Sequence, residues 1–232
     1  MKKLILLLVA VACTVAATAQ VAFGGSQASD RQMEYSQKFA DVDYVGDGQG
    51  YHTLDIYLPK VKKDTYPVVI HIYGSAWFNN NGKGAADLNT ICAALLDAGY
   101  AVVTPNHRAS TDALYPAQIH DIKAVIRFVR GEAKKYGFDT SFVGISGFSS
   151  GGHLASLAAT TNGLKTYTLG DHTVDLEGSL GKYTSESSLV NAACDWSGPV
   201  DLQNMDCGEA MKMPKSPEEV MIGVPMQGNE NK

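Results

Sequence analysis

Gly147-Phe148-Ser149-Ser150-Gly151 fits the pattern G-x-S-x-G, and it falls where a short run, Ser141 to Ser146, gives way to a small-residue helical pattern from Ser149 to Ala159. That junction matters more than the five letters. A serine on a turn from strand to helix is held out at the end of a sheet, and the residues flanking so sharp a turn must be small. Gly147 and Gly151 meet that demand. The helix that starts here also aims free N–H groups and the positive end of its dipole at the same place, which suits an oxygen gaining negative charge in acyl transfer. Ser149 is therefore the candidate nucleophile, with the Ser150 N–H as the first donor to an oxyanion. Ser146, in Gly144-Ile145-Ser146-Gly147, is a weaker rival, because its second glycine would fall at Phe148 and it still belongs to the strand.

The elements that must position these residues follow from periodicity. Asp41 to Val45 and the alternating Thr53 to Leu58 read as strands, and the nearly continuous apolar run Pro67 to Tyr73 reads as a strand covered on both faces. A Gly- and Asn-rich loop, 74–84, leads into a helical pattern from Ala86 to Ala98 that Gly99 ends. Ala101 to Pro105 is another buried strand, and Ile119, Ile122, Val125, Ile126 and Val129 mark one face of a helix with Pro116 in its first turn. Val190 to Trp196 is a further strand, and the polar stretch 160–188 is an insertion or cap. Strand and helix alternating from residue 67 onward predict an α/β fold with a mostly parallel central sheet and helices on both faces. Functional groups then belong just beyond the strands' carboxyl ends.

A second loop, Tyr73-Gly74-Ser75-Ala76-Trp77, makes the pattern specific. It resembles the His-Gly-Gly-Gly-Trp oxyanion loop of carboxylesterases and lipases in the α/β-hydrolase superfamily. GFSSGGHLA, from Gly147 to Ala155, resembles their nucleophile elbow, and Tyr115-Pro116-Ala117-Gln118 is similar to the stretch before their long helix. The likeness is to the secreted esterase branch that includes feruloyl and acetyl-xylan esterases. It implies the α/β-hydrolase fold and attack by Ser149 on a carboxylic ester, through an acyl-enzyme, without cofactor or metal. By position it implies oxyanion donors at the backbone N–H groups of Ser75, Ala76 and Ser150, and substrates that are small esters or acylated plant polysaccharides. The chain departs from the pattern at Tyr73, which replaces the histidine, and at Ser75 and Ala76, which replace glycines and restrict the backbone. Backbone donors tolerate small side chains, whereas one missing donor costs roughly 2.7–4 kcal/mol in the transition state.

In this fold the triad runs Ser, then Asp or Glu, then His. After Ser149 the histidines are His153, one turn into the elbow helix, and His172, in the polar insertion. Packing and solvation account for them better than catalysis. His52, His71 and His120 fit strand or helix patterns, and His107 reads as a loop residue beside Arg108. Asp195, Asp201 and Asp206 lie in or just after the last visible strand, earlier than the family's triad acid. The triad acid and histidine are therefore expected to be absent from this chain. It is expected to be a C-terminal truncation of a longer reading frame, its final strands and helix missing, nearly inactive as residues 20–232. Two other functions stay open: a serine exopeptidase of the same fold, since Gly151-Gly152 suits it too, and a non-catalytic hydrolase-like binding protein. The lack of a propeller domain ahead of residue 41 argues against the exopeptidase.

Composition bounds the rest. Met1-Lys2-Lys3, an apolar run from Leu4 to Val15 and Ala17-Thr18-Ala19 form a secretory signal peptide, cut after Ala19, so the protein is expected to be secreted or periplasmic. The apolar run is too short to span a bilayer, which takes about 20 residues. Residues 20–40 are read as a flexible lead and 41–232 as one incomplete hydrolase domain. Losing Lys2 and Lys3 and no acid moves the net charge from −5 to −7, which suits neither nucleic acid nor an anionic membrane. Cys92 sits in a helical apolar pattern as a core thiol, Cys194 and Cys207 are near enough in sequence to pair, and no cysteine has zinc-ligand spacing with histidine.

Overall fold

Runs of Val, Ile, Tyr and Leu between turn residues become the strands, and whether a run alternates or is continuous decides how deep it lies. The structure, a computed structural model, describes residues 32–205, 215–226 and 228. Among the described residues eight strands result: β1 (Gln37–Asp43), β2 (Thr53–Leu58), β3 (Tyr66–Ile72), β4 (Ala101–Pro105), β5 (Phe138–Phe148), β6 (Thr166–Leu169), β7 (His172–Asp175) and β8 (Ala192–Trp196). The helices are α1 (Ile91–Asp97), α2 (Ala117–Gly131), α3 (Ala133–Tyr136), α4 (Ser150–Thr160) and α5 (Pro217–Ile222). Short 3₁₀ turns occupy Gly50–His52 and Ala86–Asn89.

Six strands form one sheet in the order β1-β2-β4-β3-β5-β8. The pairs β1/β2 and β2/β4 are antiparallel, and β3/β4, β3/β5 and β5/β8 are parallel. The continuous apolar runs are the interior strands: β4 is buried throughout and β3 at every position but Pro67. Side chains of a strand alternate between faces, and β4 shows this directly. Val103 joins a core with Ile70, Ile72, Ile145, Ile122 and Val125 of α2, and Leu154 and Ala155 of α4, while Val102 joins Tyr57, Cys92 and Leu96 beside α1. Helices therefore cover both faces, and every parallel strand ends at the same edge.

Several boundaries differ from the sequence expectation. β1 begins at Gln37, inside the stretch read as a flexible lead, because its residues are mostly exposed and lack a clean alternation. The pattern from Ala86 to Ala98 divides into a 3₁₀ turn and the shorter α1, closed by Gly99 at φ +92°. Pro116 stands at the N-cap of α2 rather than in its first turn. β5 is 11 residues long, extending past Ser141–Ser146 at both ends. The polar stretch 160–188 holds an antiparallel hairpin, β6 and β7. β8 closes the described sheet as an edge strand with all five residues exposed. Cys194 lies on it as an exposed free thiol, Cys92 is buried with its thiol pushed up to about 12 by desolvation, and Cys207 lies outside the described residues. The expected signal peptide, residues 1–19, likewise falls outside them.

Candidate active site

β5 ends at Phe148 and α4 begins at Ser150, so Ser149 occupies the single residue between strand and helix. Its backbone is at φ +52°, ψ −123°, a region that side chains avoid and that costs on the order of 1–3 kcal/mol. The surroundings enforce it. Cβ atoms built on Gly147 and Gly151 would stand 2.1 Å from the Gly151 carbonyl oxygen and 2.2 Å from the Ile72 carbonyl oxygen, so nothing larger fits on either side. The Ser149 N–H donates to the Trp196 carbonyl at 2.9 Å, tying the turn to β8. The Ser149 side chain is partly exposed, and among the described residues no side chain hydrogen-bonds its hydroxyl.

The loop after β3 rests on this turn. A Cβ on Gly74 would lie 2.7 Å from the Phe148 carbonyl oxygen and 2.8 Å from Ser149 Cβ, an approach that only glycine allows. Ser75 follows, and its N–H donates to the hydroxyl of the buried Ser150 at 2.8 Å. That donor is therefore engaged rather than free beside Ser149. Ala76 and Trp77 then take left-handed conformations, φ +48° and +60°, at roughly 1–2 kcal/mol each. The loop is pinned beyond them: the Ser110 N–H donates to the Trp77 carbonyl at 2.8 Å, and the buried Trp77 ring meets His153 edge-on at 5.2 Å. Among the described residues no acceptor takes the N–H of Ala76 or of Ser150. Tyr73, in the place of the family's histidine, stacks on His107 at 5.0 Å and donates its hydroxyl to the Asn79 carbonyl.

All six histidines lie among the described residues, and none of their side chains hydrogen-bonds Ser149, although the His153 backbone N–H donates to the Ser149 carbonyl at 3.1 Å. His153 packs against Trp77, and burial pushes its imidazole down to about 4. His172 sits on β7 and is exposed. His107 is buried and faces the Arg108 carbonyl through Nδ1 at 2.9 Å; desolvation lowers its pKa. His120 Nε2 lies 2.8 Å from the Asp175 carbonyl. His52 stands between Asp47 and the buried Asp121, whose carboxylate also takes the Arg108 N–H and Nε. Burial alone favours the neutral forms of both, yet these bonds raise the His52 pKa and lower that of Asp121.

His71 makes the most suggestive contacts: Nδ1 is 3.2 Å from Ser146 Oγ and Nε2 is 3.1 Å from Asp87 Oδ2. The carboxylate only accepts, so Nε2 carries the proton. Ser146 nevertheless sits within β5, buried, and its oxygen also accepts the Trp196 indole N–H at 3.2 Å. Asp195 is occupied as well. Its carboxylate takes the Ser156 hydroxyl at 2.7 Å and the Gly198 N–H at 2.6 Å, while a Cβ on Gly152 would collide with it. It clamps the end of β8 to α4. Asp201 is paired with Asn204, and Asp206 lies outside the described residues. Among the described residues no cluster of His, Cys, Asp and Glu could hold a metal ion.

Comparison with known proteins gives a family and a fold. The BD-FAE family model matches residues 54–232. The esterase LipQ of Mycobacterium tuberculosis is 30% identical over 182 residues, 78% of this chain and 40% of that protein. The probable carboxylic ester hydrolase LipM of the same organism is 37% identical over 123 residues, 52% of this chain and 28% of LipM. The chain thus spans less than half the length of these relatives. Among solved structures, a bifunctional GH43-CE protein of Bacteroides eggerthii superimposes with a TM-score of 0.79 at 53% identity, covering 84% of this chain and 27% of that one. A truncated carbohydrate esterase from gut microbiota gives 0.76 at 50% identity, covering 87% and 69%. The sheet, the crossing helices and these matches establish an α/β-hydrolase fold.

Proposed function

The chain belongs to the BD-FAE family, and from that premise we propose that Ser149 is the nucleophile of a carboxylic-ester hydrolase. The observation that carries this reading is the strained, partly exposed Ser149 between β5 and α4, its hydroxyl unengaged, with the loop 74–77 seated on the same turn. In the reaction Ser149 Oγ attacks the ester carbonyl, the carbonyl oxygen becomes the oxyanion, the alcohol leaves, and water releases the acid from the acyl-enzyme. The N–H groups of Ala76 and Ser150 are the unengaged donors for that oxyanion, with Ser75 beside them. Among the described residues no histidine side chain is placed to take the Ser149 proton. Loss of a triad serine or histidine costs on the order of 10⁶ in turnover, so residues 20–232 alone are expected to hydrolyse esters very slowly.

The names of the similar solved structures support an ester carried on a carbohydrate as the substrate class. The apparent signal peptide in residues 1–19 supports a secreted or periplasmic location. A non-catalytic binding protein is the second reading, favoured by the absence, among the described residues, of a histidine side chain on the Ser149 hydroxyl.

A fluorophosphonate probe with mass-spectrometric localisation separates the two. Covalent labelling at Ser149, lost in Ser149→Ala, is the expected result. Because residues 20–232 alone are expected to react slowly, the test is made on the full-length protein, where absence of labelling after prolonged exposure, or labelling unchanged in Ser149→Ala, overturns the esterase reading and leaves the binding one.

A further inference from the structure

Ser150 contributes two groups to this region, and only its N–H has a role in the reading above. Its side chain is buried, and its Oγ accepts the Ser75 N–H across the gap between the elbow and the oxyanion loop at 2.8 Å. We infer that the Ser150 hydroxyl is a positioning group, holding the strained oxyanion loop on the elbow so that the Ala76 N–H keeps its place beside Ser149. The inference rests on Ser149 being the nucleophile.

The loop needs holding because it is tense. Ala76 and Trp77, consecutive and both with a Cβ, are in left-handed conformations that they leave when unconstrained. Restraints act on both sides of them. Downstream, the Trp77 carbonyl accepts from the Ser110 N–H and hydroxyl, and the Trp77 ring is buried against His153. Upstream, Gly74 lies against Phe148 and Ser149 in close contact but has no side chain to lock. The bond from Ser75 to Ser150 is the polar tether on that side, and the turn bond from the Phe78 N–H to the Ser75 carbonyl, 3.0 Å, passes its hold across Ala76. Without the hydroxyl, the loop is fixed at Trp77 and free to relax at Ser75. The tether has a second effect: it withholds the Ser75 N–H from the oxyanion, leaving Ala76 and Ser150 as the resting pair of donors.

Phenylboronic acid tests this without needing turnover. Ser149 Oγ forms a bond to the trigonal boron, the serine proton passes to solvent, no bond at boron breaks, and the tetrahedral anion places an oxygen where the oxyanion forms. Affinity is measured on the full chain and on Ser150→Ala, Ser150→Thr and Ser149→Ala, with thermal unfolding of each. Ser150→Ala is expected to bind about tenfold more weakly with unfolding little changed, and Ser150→Thr, which keeps a hydroxyl, to bind within about threefold of the parent. A merely structural serine would move the unfolding temperature and leave affinity alone. Ser150→Ala binding as well as the parent or better overturns the inference; better binding would mean that releasing the Ser75 N–H outweighs any positioning by the hydroxyl. If Ser150→Ala does not fold, the threonine variant decides, and weak binding by a folded Ser150→Thr overturns the inference. A parent that forms no adduct dependent on Ser149 removes the nucleophile reading itself, and the positioning role falls with it.

Discussion

A Cβ on Gly147 would stand 2.1 Å from the carbonyl oxygen of Gly151, so the two glycines of the elbow interlock through absent side chains. Gly147→Ala must push the first turn of α4 off the end of β5. It is expected to lower stability by roughly 2–4 kcal/mol, among the larger effects of single substitutions, and to abolish Ser149 labelling. Denaturant unfolding followed by tryptophan fluorescence measures the first, and a Gly147→Ala protein as stable as the parent would contradict the packing described.

The conformation of Ser149 is itself a stored cost. Glycine takes φ +52°, ψ −123° without the Cβ penalty but loses more chain entropy on folding, roughly 0.5–1 kcal/mol. Ser149→Gly is therefore expected to gain about 1 kcal/mol in urea unfolding, whereas Ser149→Ala keeps the Cβ and gains little. A stabilised alanine variant with an unchanged glycine variant would place the strain elsewhere.

His153 makes stability depend on acid. Desolvation holds its folded pKa near 4, below the ordinary value of 6.5, so the unfolded chain binds the extra proton between those limits. Its contribution is intact above pH 6.5, falls as pH drops toward 4 and levels off below; at 1.36 kcal/mol per pKa unit the full loss is roughly 3–4 kcal/mol. Thermal unfolding from pH 7.5 to 4 should show this loss, and His153→Phe should flatten the profile in that window. An equal slope in both proteins would assign the acid sensitivity to other groups.

Asp121 joins the turn before β2 to the segment after β4. Its carboxylate is fully buried and takes His52 and Arg108 together. Asp121→Asn leaves a guanidinium and an imidazole facing a neutral amide, and roughly 3–5 kcal/mol should be lost, as when one partner of a buried pair is removed. Chemical unfolding measures it; a loss under 1 kcal/mol would show that solvent already screens the pair.

Much of the scaffold was legible because its signals are local. Thr53–Leu58 and Ala101–Pro105 have the bounds their apolar patterns predict, and the elbow was found from a glycine pair that sterics make compulsory. Two features escaped for physical reasons. The contact between Ser75 and Ser150 joins residues 75 apart, and no periodicity of either segment encodes it. The β6–β7 hairpin buries almost nothing, so no hydrophobic alternation marked it, although Gly170-Asp171 between Leu169 and His172 carries the chemistry of a two-residue turn. The expected Ser75 donor turned out to be engaged because a serine at the first position of the helix offers an acceptor as well as an N–H.

Three residues before the elbow, Ser146, His71 and Asp87 line up in the order and at the spacing of a proton relay. What they lack is access, since the Ser146 oxygen is sealed beneath the Trp196 indole and belongs to an ordinary extended strand. A distance template fitted to side chains alone would choose this interior trio and pass over Ser149. The backbone points instead to Ser149, the nucleophile of the proposed reading: its main chain is bent into a shape that serine does not prefer, whereas the Ser146 hydroxyl, well supplied with partners, is already spent on holding the sheet together.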